Sequence, residues 1–377
     1  MRIAIVGGGI TGLTTALALR KVGFEPMVYE QAPELAPLGA GIWIAPNALR
    51  ILDWLGLGDL VRQAGQPLDQ VAITDQQLGP LRRSRQAYVS TTDGIPLISI
   101  HRARLQNILK AALPEERVWL GQAYQQHQEQ GGAVTVELSD KTTQADLLLG
   151  ADGLRSGVRE AIFPSAPLRY AGQTCWRGIA SYALPASLQA SGYEAWGPGL
   201  RFGFSAVSDG EVYWFAVAKA AQGESEPNEG RQDRLCARFQ AFHPLVGEMI
   251  KATPKILRHD LLDLARLPAW SQGRVALLGD AAHATTPNMG QGAAQGIEDA
   301  FSLSQCLRQS PDVEAALQAF EKMRRVKVDQ VVNTSWQIGR LAHHPIGQPL
   351  MKTMIKLTPS SVVARQLARL YTVEGLT

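Results

Sequence analysis

Three glycines near the amino terminus have the spacing of a phosphate-binding turn. Gly7, Gly9 and Gly12 fit the pattern G-x-G-x-x-G, directly after an apolar run at residues 2–6 and before apolar residues at helical spacing. In such a unit the first glycine allows the tight turn, the second lets a diphosphate approach the backbone, and the third lets helix and strand pack closely. The N–H groups of the helix amino terminus, including that of Thr11, then bind the phosphates. The turn therefore predicts binding of a dinucleotide.

An acidic residue and a second glycine-rich turn distinguish among dinucleotides. Glu30 follows a predicted strand at residues 25–29, where a carboxylate accepts hydrogen bonds from adenosine ribose hydroxyls. Because NAD and FAD both contain this ribose, Glu30 does not distinguish between them. Asp280 ends another apolar run and is followed by Gly290 and Gly292. An aspartate at such a strand end can bind ribityl hydroxyls, which NAD lacks, and the glycines let a helix amino terminus approach a flavin ring. The second turn therefore indicates FAD.

A third apolar run leads into a glycine turn at residues 147–159. The side chains of Asp152, Arg155, Ser156 and Arg159 lie near this turn, where they would suit a polar cofactor. The alternative is a structural turn whose arginines face solvent, and the residues themselves leave both interpretations open.

The elements that must position these residues indicate an α/β protein. Apolar runs that end in glycine turns are typical of buried parallel strands, and the helical spacing after them is typical of a Rossmann-like domain. Shorter alternating runs, rich in aromatic residues, indicate a strand-rich domain interleaved with it. We predict a discontinuous FAD-binding domain, a substrate-binding sheet domain and a helical C-terminal tail. The predicted boundaries are 1–70, 98–167 and 268–335 for the first, 71–97 and 168–267 for the second, and 336–377 for the tail.

Composition narrows the class of protein. Hydrophobic residues make up 45% of the 377 residues and charged residues 19%, as in an ordinary soluble enzyme. The formal net charge of +3, without a run of Lys and Arg, argues against nucleic acid as a partner. The three cysteines have no CxxC spacing, and neither a signal peptide nor a bilayer-spanning apolar run is apparent, so we expect a cytoplasmic protein. The histidines have no metal-binding spacing, so no metal is expected.

Together these motifs resemble those of the class A single-component FAD-dependent monooxygenases, which share the fold of para-hydroxybenzoate hydroxylase. The resemblance covers nearly the whole chain, and the subgroup that hydroxylates urate and 6-hydroxynicotinate is the most similar. The matching motifs are GGGITG at 7–12, GAGIW at 39–43, PN at 46–47, HR at 101–102, ADGLRSGVR at 151–159, WRG at 176–178 and GDAAHATTP at 279–287. The resemblance implies that NADH or NADPH reduces FAD and that O2 hydroxylates an aromatic or N-heterocyclic ring through a flavin C4a-hydroperoxide.

The resemblance also implies which residues contact the cofactor. Glu30 and Asp280 would bind ribose and ribityl hydroxyls, and Arg102 would pair with the polar backbone of FAD. The other positions that match cofactor contacts are Thr11, Gln31, Trp43, Asp152 and Arg159. The turn at residues 151–159 belongs to a motif implicated in both FAD and NAD(P)H binding.

On the substrate side the resemblance implies three residues. Arg201 and Tyr213 match a pocket arginine and a pocket tyrosine, which could clamp an anionic ring and hydrogen-bond a ring hydroxyl. Pro287 matches the loop residue whose carbonyl borders the reacting substrate. The alternatives are a strand arginine that faces solvent and a tyrosine packed in the core. Asn288 departs from the pattern, because urate enzymes carry an acidic residue there, and this argues against urate as the substrate.

The sequence leaves the reaction, the membrane contact and the oligomeric state open. An FAD-dependent dehydrogenase or oxidase, or an epoxidase of a lipophilic substrate, would carry the same motifs, whereas a flavin-binding module without activity would be expected to lose some of them. Residues 340–371 contain basic residues but no Asp or Glu, so the tail either packs on the FAD domain or lies on an anionic membrane. We expect a monomer or homodimer that acts on a small aromatic or heterocyclic substrate.

Overall fold

A computed structural model of the chain describes residues 1–35, 40–85 and 95–376. Gly39 of the GAGIW motif and residues 86–94 of the predicted sheet domain lie outside the described residues. The strands are β1 (Ile3–Val6), β2 (Met27–Tyr29), β3 (Gly41–Ile44), β4 (Gln66–Leu68), β5 (Gln70–Asp75), β6 (Pro80–Arg85), β7 (Leu97–His101), β8 (Val118–Trp119), β9 (Tyr124–Gln130), β10 (Ala133–Leu138), β11 (Thr142–Ala145), β12 (Leu147–Gly150), β13 (Leu168–Ser181), β14 (Ser191–Gly197), β15 (Leu200–Ser208), β16 (Glu211–Lys219), β17 (Leu257–Leu264), β18 (Ser271–Gln272) and β19 (Val275–Leu277).

Helices cover the sheets and form the carboxyl-terminal part. The α-helices are α1 (Ile10–Lys21), α2 (Pro46–Trp54), α3 (Gly58–Ala64), α4 (Arg102–Ala111), α5 (Gly157–Ile162), α6 (Ala186–Gln189), α7 (Arg231–Arg238), α8 (Pro244–Lys251), α9 (Asp280–His283), α10 (Gly292–Gln309), α11 (Val313–Ala342), α12 (Gly347–Leu357) and α13 (Ser360–Tyr371). Two short 3-10 helices lie at Glu115–Arg117 and Pro287–Met289.

The six-stranded sheet brings the predicted cofactor motifs to one edge. Its order is β18-β19-β12-β1-β2-β8, and β1 runs parallel to both β12 and β2, while β12 runs parallel to β19. The glycine turns after β1, β12 and β19 therefore meet at the carboxyl edge of the sheet, where ligands bind in open α/β sheets. The predicted α/β fold class is confirmed. The strand β10 pairs with β11 in a separate sheet, whereas β12 belongs to the six-stranded one.

A seven-stranded sheet has a hydrophobic core of its own. Its order is β17-β13-β16-β15-β14-β5-β6, so it combines strands from residues 70–85 with strands from residues 168–264. Aromatic side chains of Phe202, Phe204 and Trp214 are fully buried in its core. Such side chains remove a large apolar area from water, which makes this sheet a stable wall beside the six-stranded one.

The carboxyl-terminal helices pack against the larger core. Asp312 begins α11 by accepting a hydrogen bond from the N–H of Ala315 at 2.8 Å. This helix continues to Ala342, through the boundary predicted between residues 335 and 336. Tyr371 and Val373 are buried in the core formed around the six-stranded sheet. In the described part of the chain, no helix combines the length and the apolar character that crossing a bilayer requires.

Candidate active site

The turn between β1 and α1 has the close contacts that its glycines predict. A Cβ atom on Gly12 would overlap the carbonyl oxygen of Gly7, whereas a Cβ on Gly9 would meet no atom within 4 Å. The N–H of Gly8 donates to the carboxylate of Glu30 at 2.6 Å. Gly9 thus borders open space at the amino terminus of α1, and Glu30 is held beside it, as the binding of an adenosine diphosphate group would require.

Thr11 and Gln31, both predicted to touch the cofactor, have different surroundings. The side chain of Thr11 packs against Gly279 and Gly296, where an added Cβ would meet its hydroxyl. Its side chain therefore joins α1 to the segments around α10. The predicted contact with the cofactor would then be made by the backbone N–H of Thr11. Gln31 follows β2 and is exposed. Both contacts remain predictions.

A cavity of about 1420 Å³ lies between the carboxyl edge of the six-stranded sheet and the seven-stranded sheet. Binding pockets for small molecules usually measure about 300–1,000 Å³, so this one has room for more than one bound group. Five of its lining residues were predicted to contact the cofactor: Trp43, Arg102, Asp280, Gly290 and Gly292. The structure thus brings residues from separate parts of the chain to one end of the cavity.

The charged groups at this end of the cavity lack protein partners. Among the residues that the structure describes, neither the Arg102 guanidinium nor the Asp280 carboxylate has a hydrogen-bond partner. Burial lowers the pKa of Arg102, although the nearby Asp280 carboxylate partly offsets this effect. Burial likewise raises the pKa of Asp280 against the opposing effect of His283 and Arg102. Unpartnered polar groups of both signs in a cavity fit the hydroxyls and phosphates of FAD.

Asp152 and Arg159 lie behind the cavity wall. The Asp152 carboxylate accepts a hydrogen bond from the Ser156 hydroxyl at 2.5 Å, and the buried Arg159 guanidinium donates to the carbonyl of Ala281 at 3.2 Å. The first bond closes the turn after β12, and the second ties that turn to the segment after β19. Both side chains therefore support the turns around the site, and their predicted contact with the cofactor stays a prediction. From the same turn, Arg155 lines the cavity.

Aromatic side chains form the wall opposite the six-stranded sheet. Tyr213 on β16 packs directly on Gly41, where a Cβ would overlap its ring. Burial raises the pKa of Tyr213 to about 12, so its hydroxyl stays protonated and can donate a hydrogen bond at neutral pH. The Trp43 indole N–H donates to the Ser205 hydroxyl at 2.8 Å, which fixes its ring. Tyr213, Trp43 and the predicted loop residue Pro287 all line the cavity.

Arg201, predicted to clamp an anionic substrate, does not face the cavity. Its side chain is 2% exposed, and it donates to Glu194 at 3.1 Å and to the amide oxygen of Asn288 at 2.5 Å. Glu194 and Asn288 line the cavity, whereas Arg201 lies behind them. Because the guanidinium is engaged by two wall residues, the geometry favours a positioning role, and the predicted direct contact with a substrate stays a prediction.

Glu194 is a cavity residue that the sequence analysis missed. Besides Arg201, the Trp196 indole N–H donates to its carboxylate, at 3.0 Å, so the side chain is held in one orientation. The sequence pattern that could have indicated Glu194 is an acidic residue within the mainly apolar strand β14 (Ser191–Gly197), because a carboxylate in such a strand needs polar partners. A fixed carboxylate on the cavity wall can accept a hydrogen bond or a proton from a bound ring.

A second missed feature is a buried ionic network between α10 and α11. Arg324 donates to Glu298 at 2.5 Å and to Asp299 at 2.9 Å, and Lys327 donates to Glu298 at 2.7 Å. The side chains of Arg324, Glu298 and Asp299 are at most 4% exposed. Charges removed from water in this way require complementary partners, so the network holds these two helices in one arrangement.

Asp299 connects this network to the candidate cofactor site. Its carboxylate accepts the N–H of Gly279 at 2.9 Å and lies 2.6 Å from the ring nitrogen of His283. Burial alone would raise the pKa of Asp299, but His283 and Arg324 outweigh it and lower the pKa to about 2. The ionised carboxylate therefore fixes the strand end from which Asp280 projects into the cavity.

A parallel sheet with glycine turns at its carboxyl edge, joined through one cavity to an aromatic-lined second sheet, is the architecture of the class A flavoprotein monooxygenases. The glycine turns, Arg102 and Asp280 are the parts of the site that fit FAD. The chain belongs to the family described as FAD binding domain, whose model matches residues 1–335.

Curated relatives and a solved structure agree with this assignment. The chain is 37% identical to the aurachin C monooxygenase/isomerase of Stigmatella aurantiaca, over 90% of this chain and 89% of that protein. It is 34% identical to the 2-heptyl-3-hydroxy-4(1H)-quinolone synthase of Pseudomonas aeruginosa, over 100% and 99% of the two chains. The crystal structure of Klebsiella pneumoniae HpxO with FAD and uric acid superposes with a TM-score of 0.92 at 27% identity, covering 100% and 98% of the two chains.

These similarities confirm the class, the fold and the cofactor predicted from the sequence. The protein is an FAD-dependent monooxygenase that uses O2 and NAD(P)H.

Proposed function

We propose that the protein hydroxylates an aromatic or N-heterocyclic ring that lies between the bound flavin and the seven-stranded sheet. The observation that carries this proposal is the single cavity that joins the cofactor end at Arg102 and Asp280 to a wall containing Tyr213 and Glu194. The names of the relatives point to ring compounds as well: an aurachin C monooxygenase/isomerase, a quinolone synthase and a urate hydroxylase.

The first step is the binding of FAD at the carboxyl edge of the six-stranded sheet. Glu30 would accept hydrogen bonds from the adenosine ribose, Arg102 would pair with the polar backbone, and Asp280 would bind the ribityl hydroxyls. The amino terminus of α10 at Gly292 would face the pyrimidine side of the ring, where its dipole favours negative charge. FAD, when bound, supplies the redox chemistry by accepting a hydride from NAD(P)H and activating O2.

The ring itself is oriented by groups on the opposite wall. Tyr213, protonated at neutral pH, would donate a hydrogen bond to a ring oxygen. Glu194 would accept the proton of a ring N–H or O–H group and so raise the electron density of the ring. Arg201 would hold Glu194 and Asn288 in place without contacting the ring. Apolar and aromatic walls would exclude water from the reacting atoms.

A panel of hydroxylated rings tests this function. We expect at least one N-heterocycle, from a set that includes 4-hydroxyquinoline and 6-hydroxynicotinate, to accelerate NAD(P)H oxidation by the FAD-loaded enzyme. Mass spectrometry under 18O2 should show one labelled oxygen atom in the product. Stoichiometric H2O2 with every ring would contradict oxygen transfer and favour a dehydrogenase or oxidase on the same fold.

A variant separates ring activation from cofactor binding. Glu194→Gln should lower the rate of hydroxylation by about 10²–10⁴-fold, the usual contribution of a positioned acid or base, while FAD stays bound. Glu137→Gln, on the separate sheet that contains β10, is the matched control and should act as the wild type. Unchanged product formation in Glu194→Gln would remove Glu194 from the mechanism.

We also propose that the carboxyl-terminal helices contact an anionic membrane surface. Ile346, Leu350 and Leu357 are 77%, 60% and 76% exposed, and they lie on one side of α12 at helical spacing. Lys356 is exposed on the same helix, whereas the ammonium group of Lys352 donates to the carbonyl of Trp196 at 2.8 Å, and residues 340–371 contain no Asp or Glu. An exposed apolar stripe flanked by basic residues fits the interface of an anionic bilayer.

Vesicle flotation tests this contact. The protein should float with phosphatidylglycerol vesicles, less with phosphatidylcholine vesicles, and less again at high salt, because the basic residues are then screened. The double variant Ile346→Ser/Leu357→Ser should reduce binding by about tenfold or more, since two apolar side chains no longer insert. Val326→Ser, which removes a similarly exposed side chain from α11, is the control. Equal binding by all three proteins would refute the proposal.

A further inference from the structure

The cavity extends well beyond the cofactor and the ring site, along the carboxyl-terminal helices. On α13, Val363, Leu367 and Tyr371 line it at intervals of four residues, which places them along one face of the helix. On α12, Met351 and Ile355 line it in the same way. The two helices therefore present mainly apolar side chains to one arm of the cavity, which we name the apolar arm and define by these five residues.

The apolar arm differs chemically from the rest of the cavity. The cofactor end holds Arg102 and Asp280, and the ring site holds Glu194 and Asn288, whereas the arm is bounded mainly by hydrocarbon side chains. From Val363 to Tyr371 the stripe extends over eight residues, which corresponds to about 12 Å at 1.5 Å per residue. A channel of that length and composition removes apolar surface from water without offering hydrogen bonds along most of its wall.

We propose that the apolar arm binds a hydrocarbon chain attached to the ring that is hydroxylated. This inference rests on the proposed function and specifies its substrate class: a hydroxylated N-heterocycle with a linear or prenyl-like chain of medium length. The polar atoms of the ring lie against Glu194 and Tyr213, and the chain extends from the ring toward α12 and α13. The arm reaches the surface beside Met354, which lines the cavity and is 59% exposed, so the chain can enter from that side.

A homologous series of ligands tests the arm directly. The FAD-loaded protein is titrated with 4-hydroxyquinolines that carry methyl, propyl, pentyl, heptyl or nonyl chains at C2, and binding is measured by calorimetry. Affinity should increase about fourfold for each methylene that is buried, until the arm is full, and then level off. Affinity that does not depend on chain length would overturn the proposal.

Two substitutions of the same type localise the effect. Leu367→Trp fills the arm, so affinity for the heptyl and nonyl ligands should decrease at least tenfold while that for the methyl ligand is unchanged. Leu350→Trp, on the exposed side of α12, should leave the whole series as in the wild type. If Leu367→Trp does not fold, Met351→Ala serves instead, and it should move the optimum toward longer chains.

The outcomes distinguish the arm from the function on which it rests. Hydroxylation of the methyl ligand with no gain from longer chains would leave the monooxygenase proposal intact and refute the arm. Chain-dependent binding with only H2O2 as product would support the arm and refute ring hydroxylation. Equal effects of Leu367→Trp and Leu350→Trp on all ligands would mean that the hydrocarbon chain of the ligand does not bind in the apolar arm.

Discussion

Replacement of Arg324 by methionine is expected to lower the free energy of unfolding by about 3–5 kcal/mol, because Asp299 loses its guanidinium partner and Glu298 keeps only Lys327 as a cationic partner. Both carboxylates are at most 2% exposed, so water cannot take the place of the guanidinium. Because Asp299 also holds the N–H of Gly279, the loss should extend to the cofactor site. Flavin release on heating should therefore occur at a lower temperature than in the wild type.

The measurement is urea unfolding of the apoprotein, followed by far-UV circular dichroism, together with flavin fluorescence during heating of the holoprotein. Arg340→Met is the matched control, since it changes an exposed arginine of the same helix and should alter stability by less than about 0.5 kcal/mol. Adding Glu298→Gln to Arg324→Met should recover part of the loss, because it removes one of the two buried carboxylates that lose the guanidinium. A loss of stability no greater than that of Arg340→Met would show that the network is not a source of stability.

Local motifs made the cofactor and the fold class predictable from the sequence. Gly7 and Asp280 each stand at the end of an apolar run, and the parallel order of β1, β12 and β19 follows from such runs. The path of the backbone at a strand–turn–helix junction depends on a few adjacent residues, so the sequence contains most of the information. The same holds for the aromatic strands β15 and β16, whose alternation indicated the second sheet.

The role of Arg201 could not be predicted, because it depends on pairing between distant segments. Whether a strand arginine faces a cavity, solvent or a second strand is decided by register, and here Arg201 pairs with Trp196 across β14 and β15. That pairing places its guanidinium against Glu194, seven residues earlier, and Asn288, which is 87 residues later. No local pattern specifies contacts of this kind.

The buried position of Arg324 is indicated by a pattern in the sequence. It lies within the apolar stripe of α11, between Phe320 and Val328, at the spacing of residues that face the core. A charged residue in such a stripe requires buried partners of opposite charge. The adjacent acids Glu298 and Asp299 on the preceding helix were the natural candidates, but the packing of two helices had to be known before they could be paired.

Alanine substitutions at two glycines of the first turn are expected to separate folding from flavin binding. Gly12→Ala should destabilise the protein by about 2–4 kcal/mol and yield colourless protein, since its Cβ would overlap the backbone of Gly7 and push α1 from β1. Gly9→Ala should fold normally, because its φ of −74° is ordinary and nothing lies within 4 Å of the added Cβ. The methyl group would instead stand where the diphosphate approaches the helix.

The loss of FAD affinity in Gly9→Ala should be about 10- to 100-fold, which corresponds to one hydrogen bond to a charged phosphate. Fluorescence titration of the apoprotein with FAD measures it, and thermal unfolding of the apoprotein measures stability separately. Adenosine diphosphate should compete for binding in the wild type and compete poorly in Gly9→Ala, because the defect lies at the diphosphate and not at the flavin ring. Normal FAD affinity in Gly9→Ala would mean that the diphosphate does not reach this turn. In that case the cofactor would extend from Glu30 to Asp280 without passing the amino terminus of α1. The open space at Gly9 indicates the opposite, namely that the diphosphate lies beside this turn.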